Sequence, residues 1–223
     1  MKPSLKHKII LACAALGSVM LSTLATGAQI GPYLGGSVGR SSAKVPNTNA
    51  FDGSTPGVGV TASHTGWAER GFIGFNVNKF FGLEVGYTNY ARALYNARGA
   101  GGAFSQLQYN YKTWDAEGKA YFPLGYTGMN LYALGGVAHV DETINYTNGN
   151  IPLSGSIAQP APGTTHANTT RPYYGLGINV TFYQHVTVNF EATQITNIRH
   201  YSTNYTASPY LNMASLGLAY NFC

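Results

Sequence analysis

The stretch Gly71–Arg92, GFIGFNVNKFFGLEVGYTNYAR, decides the fold, because it holds two alternating runs joined by only a few residues. Ile73, Phe75 and Val77 share one parity with Leu83, Val85 and Tyr87, while Phe72, Gly74, Asn76, Gly82, Glu84, Gly86 and Thr88 fill the other. A period of two over both runs predicts a β-hairpin. One of its faces is apolar; the other mixes small and polar residues and carries a carboxylate in mid-strand. A soluble sandwich turns its apolar face inward. A polar interior instead implies that the apolar face meets lipid.

The same design repeats along the chain. Strands are expected over Ile30–Arg40, the two arms of the hairpin, Lys112–Phe122, Asn130–Val140, Pro172–Phe182, His185–Ile195 and Tyr210–Phe222. Asn130–Val140 is rich in Gly and Ala, and its alternation favours Tyr132, Leu134, Ala138 and Val140 on the outer face. Each strand approaches the ~9–11 residues that cross a bilayer at a tilt. The fold class is therefore all-β, an eight-stranded antiparallel transmembrane β-barrel of up-and-down topology. Ser41–Thr65, Asn89–Tyr111, Asp141–Arg171 and Thr196–Pro209 read as long loops, the third carrying Pro152, Pro160 and Pro162, which disfavour regular pairing. Outer-membrane barrels keep short turns in the periplasm, so these four loops are expected outside the cell. Tyr87, Phe122, Tyr174, Phe182, Tyr220 and Phe222 sit near strand ends and suit aromatic girdles.

Composition agrees with this class: 9% of the 223 residues are charged, with 28 Gly and 17 Tyr. Lys2, Lys6 and Lys8 precede an apolar run from Ile9 to Leu24, and Thr26-Gly27-Ala28 supplies the small residues of a signal-peptidase site. Residues 1–28 are expected to be a signal peptide and 29–223 the barrel domain. The net charge of +5 owes much to the leader: without its three lysines, ten Lys and Arg face eight Asp and Glu. No basic stripe remains that would favour nucleic acid. Beyond the leader, Cys223 is a single cysteine, which excludes an intrachain disulfide in the mature chain. No stretch there reaches the ~18 apolar residues of a membrane helix.

Three segments, GPYLGGSVG (31–39), NVNKFFGLEVGY (76–87) and MASLGLAYNF (213–222), resemble the first strand, second hairpin and closing strand of the OmpA family's eight-stranded domain and its opacity-protein relatives. The resemblance implies a terminal assembly signal, Leu216, Leu218, Tyr220 and Phe222, read by the barrel-assembly machinery. It also implies a carboxylate and a lysine paired across the lumen, at Glu84 and Lys119, with Glu191 matching a further interior acid. Asn189 and Asn179 stand where that family places an arginine and a glutamate. A buried charge must find partners. An interior network of Glu84, Glu117, Lys119, Asn179, Asn189 and Glu191 would supply them.

An eight-stranded interior is just wide enough for its own side chains, so these residues read as packing rather than as a diffusive pore. The expected function is a non-enzymatic barrel of the Gram-negative outer membrane, acting as surface antigen or adhesin and as an envelope structural protein. Two alternatives are a soluble exported barrel binding an apolar ligand, which needs the apolar parity inward, and a small ion pore. His200-Tyr201-Ser202 is the one suggestive catalytic trio, yet no Asp or Glu follows Glu191 to orient the histidine. His64, His139, His166 and His185 lack metal-ligand spacing, and no cofactor is expected. The expected partners are outer-membrane lipid, the assembly machinery and a host or surface ligand met by the loops, with the barrel itself a monomer.

Overall fold

The computed structural model describes residues 28–44, 59–98, 104–125, 128–149, 163–182, 185–196 and 210–222. Its strands are β1 (Gly31–Lys44), β2 (Gly59–Ser63), β3 (Thr65–Asn76), β4 (Phe81–Asn89), β5 (Ala93–Arg98), β6 (Phe104–Pro123), β7 (Met129–Gly149), β8 (Gly163–Phe182), β9 (Val186–Ile195) and β10 (Tyr210–Asn221). Eight of them form the wall in the order β6-β4-β3-β1-β10-β9-β8-β7, and β6 pairs with β7 to close it. Closure satisfies every strand edge within the bilayer, where no water could do so. β2 and β5 stand outside the ring as a side ladder on the upper part of β6.

The opening hairpin shows why the chain turns where it does. Asn78 Oδ1 accepts from the backbone N–H groups of Phe80 and Phe81 at 2.8 and 2.9 Å, and Val77 N–H donates to Phe81 O at 2.9 Å. An asparagine side chain thus imitates a backbone turn. At the β6–β7 turn, Gly125 and Gly128 take φ of 69° and 67°, a region that favours glycine.

Alternation then sorts the side chains. Leu34, Ile73, Leu83, Val85, Leu176, Phe190, Leu216 and Leu218 all point out, 48 to 63% exposed. This apolar band faces lipid, which removes the soluble, apolar-ligand alternative. Inside, six charged side chains occupy the lower storey, and Tyr90, Tyr95, Leu107, Tyr109, Tyr111, Val140, Tyr146 and Tyr173 pack the upper one together with the buried Glu142.

Several expectations are corrected. The stretch 89–111 is not one loop: it contains β5 and the start of β6, paired from Ala93↔Tyr109 to Arg98↔Phe104. Likewise 141–149 and 163–171 extend β7 and β8, and the stretch 41–65 gives up its ends to β1, β2 and β3. The reason is an inverted pattern. Beyond the lipid-facing band, at the long-loop end, Tyr95, Ala97, Leu107 and Tyr109 turn inward while Asn96, Gln106 and Gln108 turn outward, so these polar strands resemble loops in composition. The phase of β7 is also reversed: Tyr132, Leu134, Ala138 and Val140 are 0 to 5% exposed and face the lumen, with Leu131 and Val137 outside. Register decides this, because Tyr132 lies opposite the inward Tyr121, and Val140 opposite the inward Thr113. Residues 1–27, Pro152, Pro160, Pro162, Gly99 to Gly102, 197–209 (with His200 and Ser202) and Cys223 lie outside the described residues.

Candidate functional site

Four carboxylates, Glu84, Asp115, Glu117 and Glu191, and two cations, Arg70 and Lys119, are buried together in the lower lumen. β3 brings Arg70, β4 Glu84, β6 Asp115, Glu117 and Lys119, and β9 Glu191. Arg70 Nη1 donates to Glu84 Oε1 at 2.5 Å, while its Nη2 donates to Asp115 Oδ1 at 2.5 Å and lies 3.5 Å from Glu117 Oε1. Lys119 Nζ donates to Glu84 Oε2 at 2.6 Å and lies 3.4 Å from Glu117 Oε1 and 3.5 Å from Glu191 Oε2. The guanidinium carbon of Arg70 is 5.2 Å from the centre of the Phe72 ring, and Lys119 Nζ is 5.3 Å from that of Tyr132, within cation–π range.

Two rungs of the same construction hold the acids. Tyr33, Gly74 and Glu84 are consecutive partners across β1, β3 and β4, and Tyr132, Gly177 and Glu191 are consecutive partners across β7, β8 and β9. In each rung the tyrosine ring passes over the glycine, where a Cβ would collide with it, and its hydroxyl donates to the acid, at 2.8 Å for Glu84 and 3.0 Å for Glu191. Lys119 bridges the rungs.

The structure thus brings Glu84, Glu117, Lys119 and Glu191 into one cluster. Asn179 and Asn189 lie nearer the short-turn mouth: Asn179 accepts from Asn130 Nδ2 at 2.9 Å, and both line a cavity of about 30 Å³ beneath Glu84 and Lys119. That volume suits roughly one water. Arg70 and the rung tyrosines were missed. Extending the parity of Phe72 back by two residues places Arg70 inside, so a signal existed for it; the tyrosine–glycine–acid rungs depend on inter-strand register, which one strand does not encode.

The arrangement braces the wall. Each cation crosses between strands, and an uncompensated charge here would cost several kcal/mol. Among the described residues no group of three His, Cys, Asp or Glu is placed to hold a metal ion. His139 and His166 sit on the outer surface bonded to Thr170 and Thr143, and His185 Nδ1 lies 3.2 Å from Asn221 O.

Residues 11–222 match the family described as outer membrane protein beta-barrel domain. An uncharacterised protein of Coxiella burnetii is 30% identical over 182 residues, 73% of this chain and 71% of its own length. Among solved structures, Neisserial surface protein A aligns over 86% of this chain and 97% of its own with a TM-score of 0.52 at 11% identity. The N-terminal β-barrel domain of Pseudomonas aeruginosa OprF aligns over 86% and 98%, with a TM-score of 0.46 at 15% identity.

Proposed function

Since this chain belongs to the outer membrane protein β-barrel domain family and resides in the outer membrane, we propose that it is a non-enzymatic surface barrel whose upper sheet and loops serve as an adhesin or antigenic platform. The observation that carries this reading is strand length. β6, β7 and β8 contain 20, 21 and 20 residues, about twice what a bilayer crossing needs. Their surplus rises from the long-loop end as a sheet with its own tyrosine core, joined there by β5 and β2. A rigid stalk of this kind presents a surface at low entropic cost. The packed, ion-paired lumen supports a structural body over an ion pore.

In this reading residues 1–28 direct export, Leu216, Leu218, Tyr220 and Phe222 are read by the barrel-assembly machinery, the barrel acts as a monomer, and a host or surface ligand meets the upper sheet and loops. The test is to replace 94–108 and 141–171 by short Gly-Ser turns and to measure adhesion of cells displaying equal amounts of folded barrel. Adhesion should fall to the level of barrel-free cells. Undiminished adhesion, or undiminished ion conductance in planar bilayers from a barrel that conducts, would move the activity to the wall or lumen.

A further inference from the structure

Both tryptophans of the chain, Trp67 and Trp114, point out of the wall, 75 and 57% exposed. Indole rings settle at the boundary between hydrocarbon and headgroups, so the pair marks the upper edge of the lipid-facing band. Tyr87 packs on Trp114 with ring centres 4.8 Å apart. Three cations lie on or beside the strands that carry these rings. Arg40 lies directly across from Trp67 in the β1–β3 register, and Lys112 is the next outward residue above Trp114 on β6. Arg92 follows a corner pinned on both sides: Ala91 N–H donates to Ser41 Oγ at 2.9 Å and Tyr90 N–H to Tyr111 O at 3.0 Å. Ser41 adjoins Arg40 and Tyr111 adjoins Lys112, so the corner draws the three cations onto one side of the barrel.

All three are exposed, and none takes part in an ion pair among the described residues. Two acids share this face, Asp141 directly across from Lys112 in the β6–β7 register and Glu69 the next outward residue below Trp67 on β3, and neither forms an ion pair with the three cations. Glu69 Oε1 accepts from Asn89 Nδ2 at 3.3 Å, and Asp141 Oδ1 lies 3.6 Å from His139 Nε2. At the opposite rim the exposed residues are apolar, among them Phe75, Val77, Phe80, Phe81, Phe122, Leu124 and Phe222, and Lys79 is the charged side chain beside them among the described residues.

We propose that Arg40, Arg92 and Lys112, flanked by Trp67 and Trp114, bind the phosphate groups of a phosphorylated glycolipid in the outer leaflet. The wall runs unbroken from the lipid-facing band into this patch, so what meets it is a headgroup. Guanidinium and ammonium groups select anionic oxygens, arginine in a forked geometry. Directly above, the same outward face continues as Gln106, Gln108, Asn110, Thr143 and Asn145, whose amides and hydroxyls match sugar hydroxyls. Acyl chain, phosphate and sugar thus meet apolar, cationic and amide residues in that order.

The experiment places the full barrel, its fold checked by circular dichroism and heat-shifted gel mobility, in phosphatidylcholine nanodiscs and titrates in a labelled bisphosphorylated glycolipid. Each of Arg40→Gln, Arg92→Gln and Lys112→Gln should weaken retention about fivefold, and the triple variant on the order of a hundredfold, from the attraction of a single basic side chain to an anionic surface. Lys79→Gln should leave retention unchanged, and the dephosphorylated glycolipid should bind wild type as weakly as the phosphorylated form binds the triple variant. Wild-type retention by the folded triple variant, equal binding of the dephosphorylated form, or equal competition by phosphatidylglycerol would overturn the site.

Discussion

The ring of Tyr33 lies over Gly74, its cross-strand partner, so that its hydroxyl reaches Glu84 on the strand beyond, at 2.8 Å. Three strands are clasped by one side chain, and the clasp exists only because the middle residue has no Cβ. Gly74→Val should therefore displace the ring and cost about 1–3 kcal/mol, the usual range for forcing volume into a packed interior. Adding Tyr33→Ala to Gly74→Val should cost less than the two single changes summed. Urea unfolding of the barrel in lipid vesicles checks this; strict additivity would mean that ring and glycine are independent.

Lys119 and Glu84 meet at 2.6 Å with side chains 4 and 0% exposed. Lys119→Met or Glu84→Gln alone should cost about 3–5 kcal/mol by stranding a buried charge, and the double variant should recover much of that. The same unfolding measurement on both singles and the double decides it. Arg70 also contacts Glu84, so recovery in the double variant should be partial.

On the outer wall, Leu218 is 60% exposed to lipid. Leu218→Arg should destabilise the barrel by ~2–4 kcal/mol if it lies near the bilayer midplane, whereas Leu218→Phe should be close to neutral. The yield of folded, protease-resistant barrel in outer-membrane fractions separates the two. Equal yields would contradict the lipid-facing assignment of β10.

The phase of β7 has its own test. In a Cys223→Ser background, cysteines at Leu131 and Val137 should react with a lipid-soluble maleimide in intact vesicles, and cysteines at Leu134 and Val140 should remain protected. The reverse pattern would restore the outward placement of Leu134 and Val140.

The membrane band was legible in the sequence because each of its strands faces two different solvents. Ile73, Phe75, Leu83 and Val85 against Glu84, or Leu216 and Leu218 against Ser215 and Asn221, leave one reading open. β7 defeated that logic: Gly135, Gly136 and Ala133 carry little hydrophobic contrast, and Tyr132 is amphipathic enough for either side. The upper sheet was illegible for another reason. There both solvents are absent, since the outside is water and the inside is a tyrosine core, and the polarity of the alternation inverts. Parity and resemblance reach Glu84, Lys119 and Glu191, whereas Arg70 escapes because it lies one residue before the alternation that begins at Gly71.

β1 and β10 are partners from Tyr33↔Asn221 to Lys44↔Tyr210, so the first and last strands of the barrel form its seam. That neighbourhood imposes a schedule. However early β1 emerges during export, one of its edges has no mate until β10 arrives, and nearly the whole barrel must be delivered while its first strand waits. An unmated edge is an invitation to pair with any other chain. The interval between the two strands is therefore when this protein most needs an escort, and substitutions that slow delivery of β8 to β10 should show up as lost yield rather than as a weakened finished barrel.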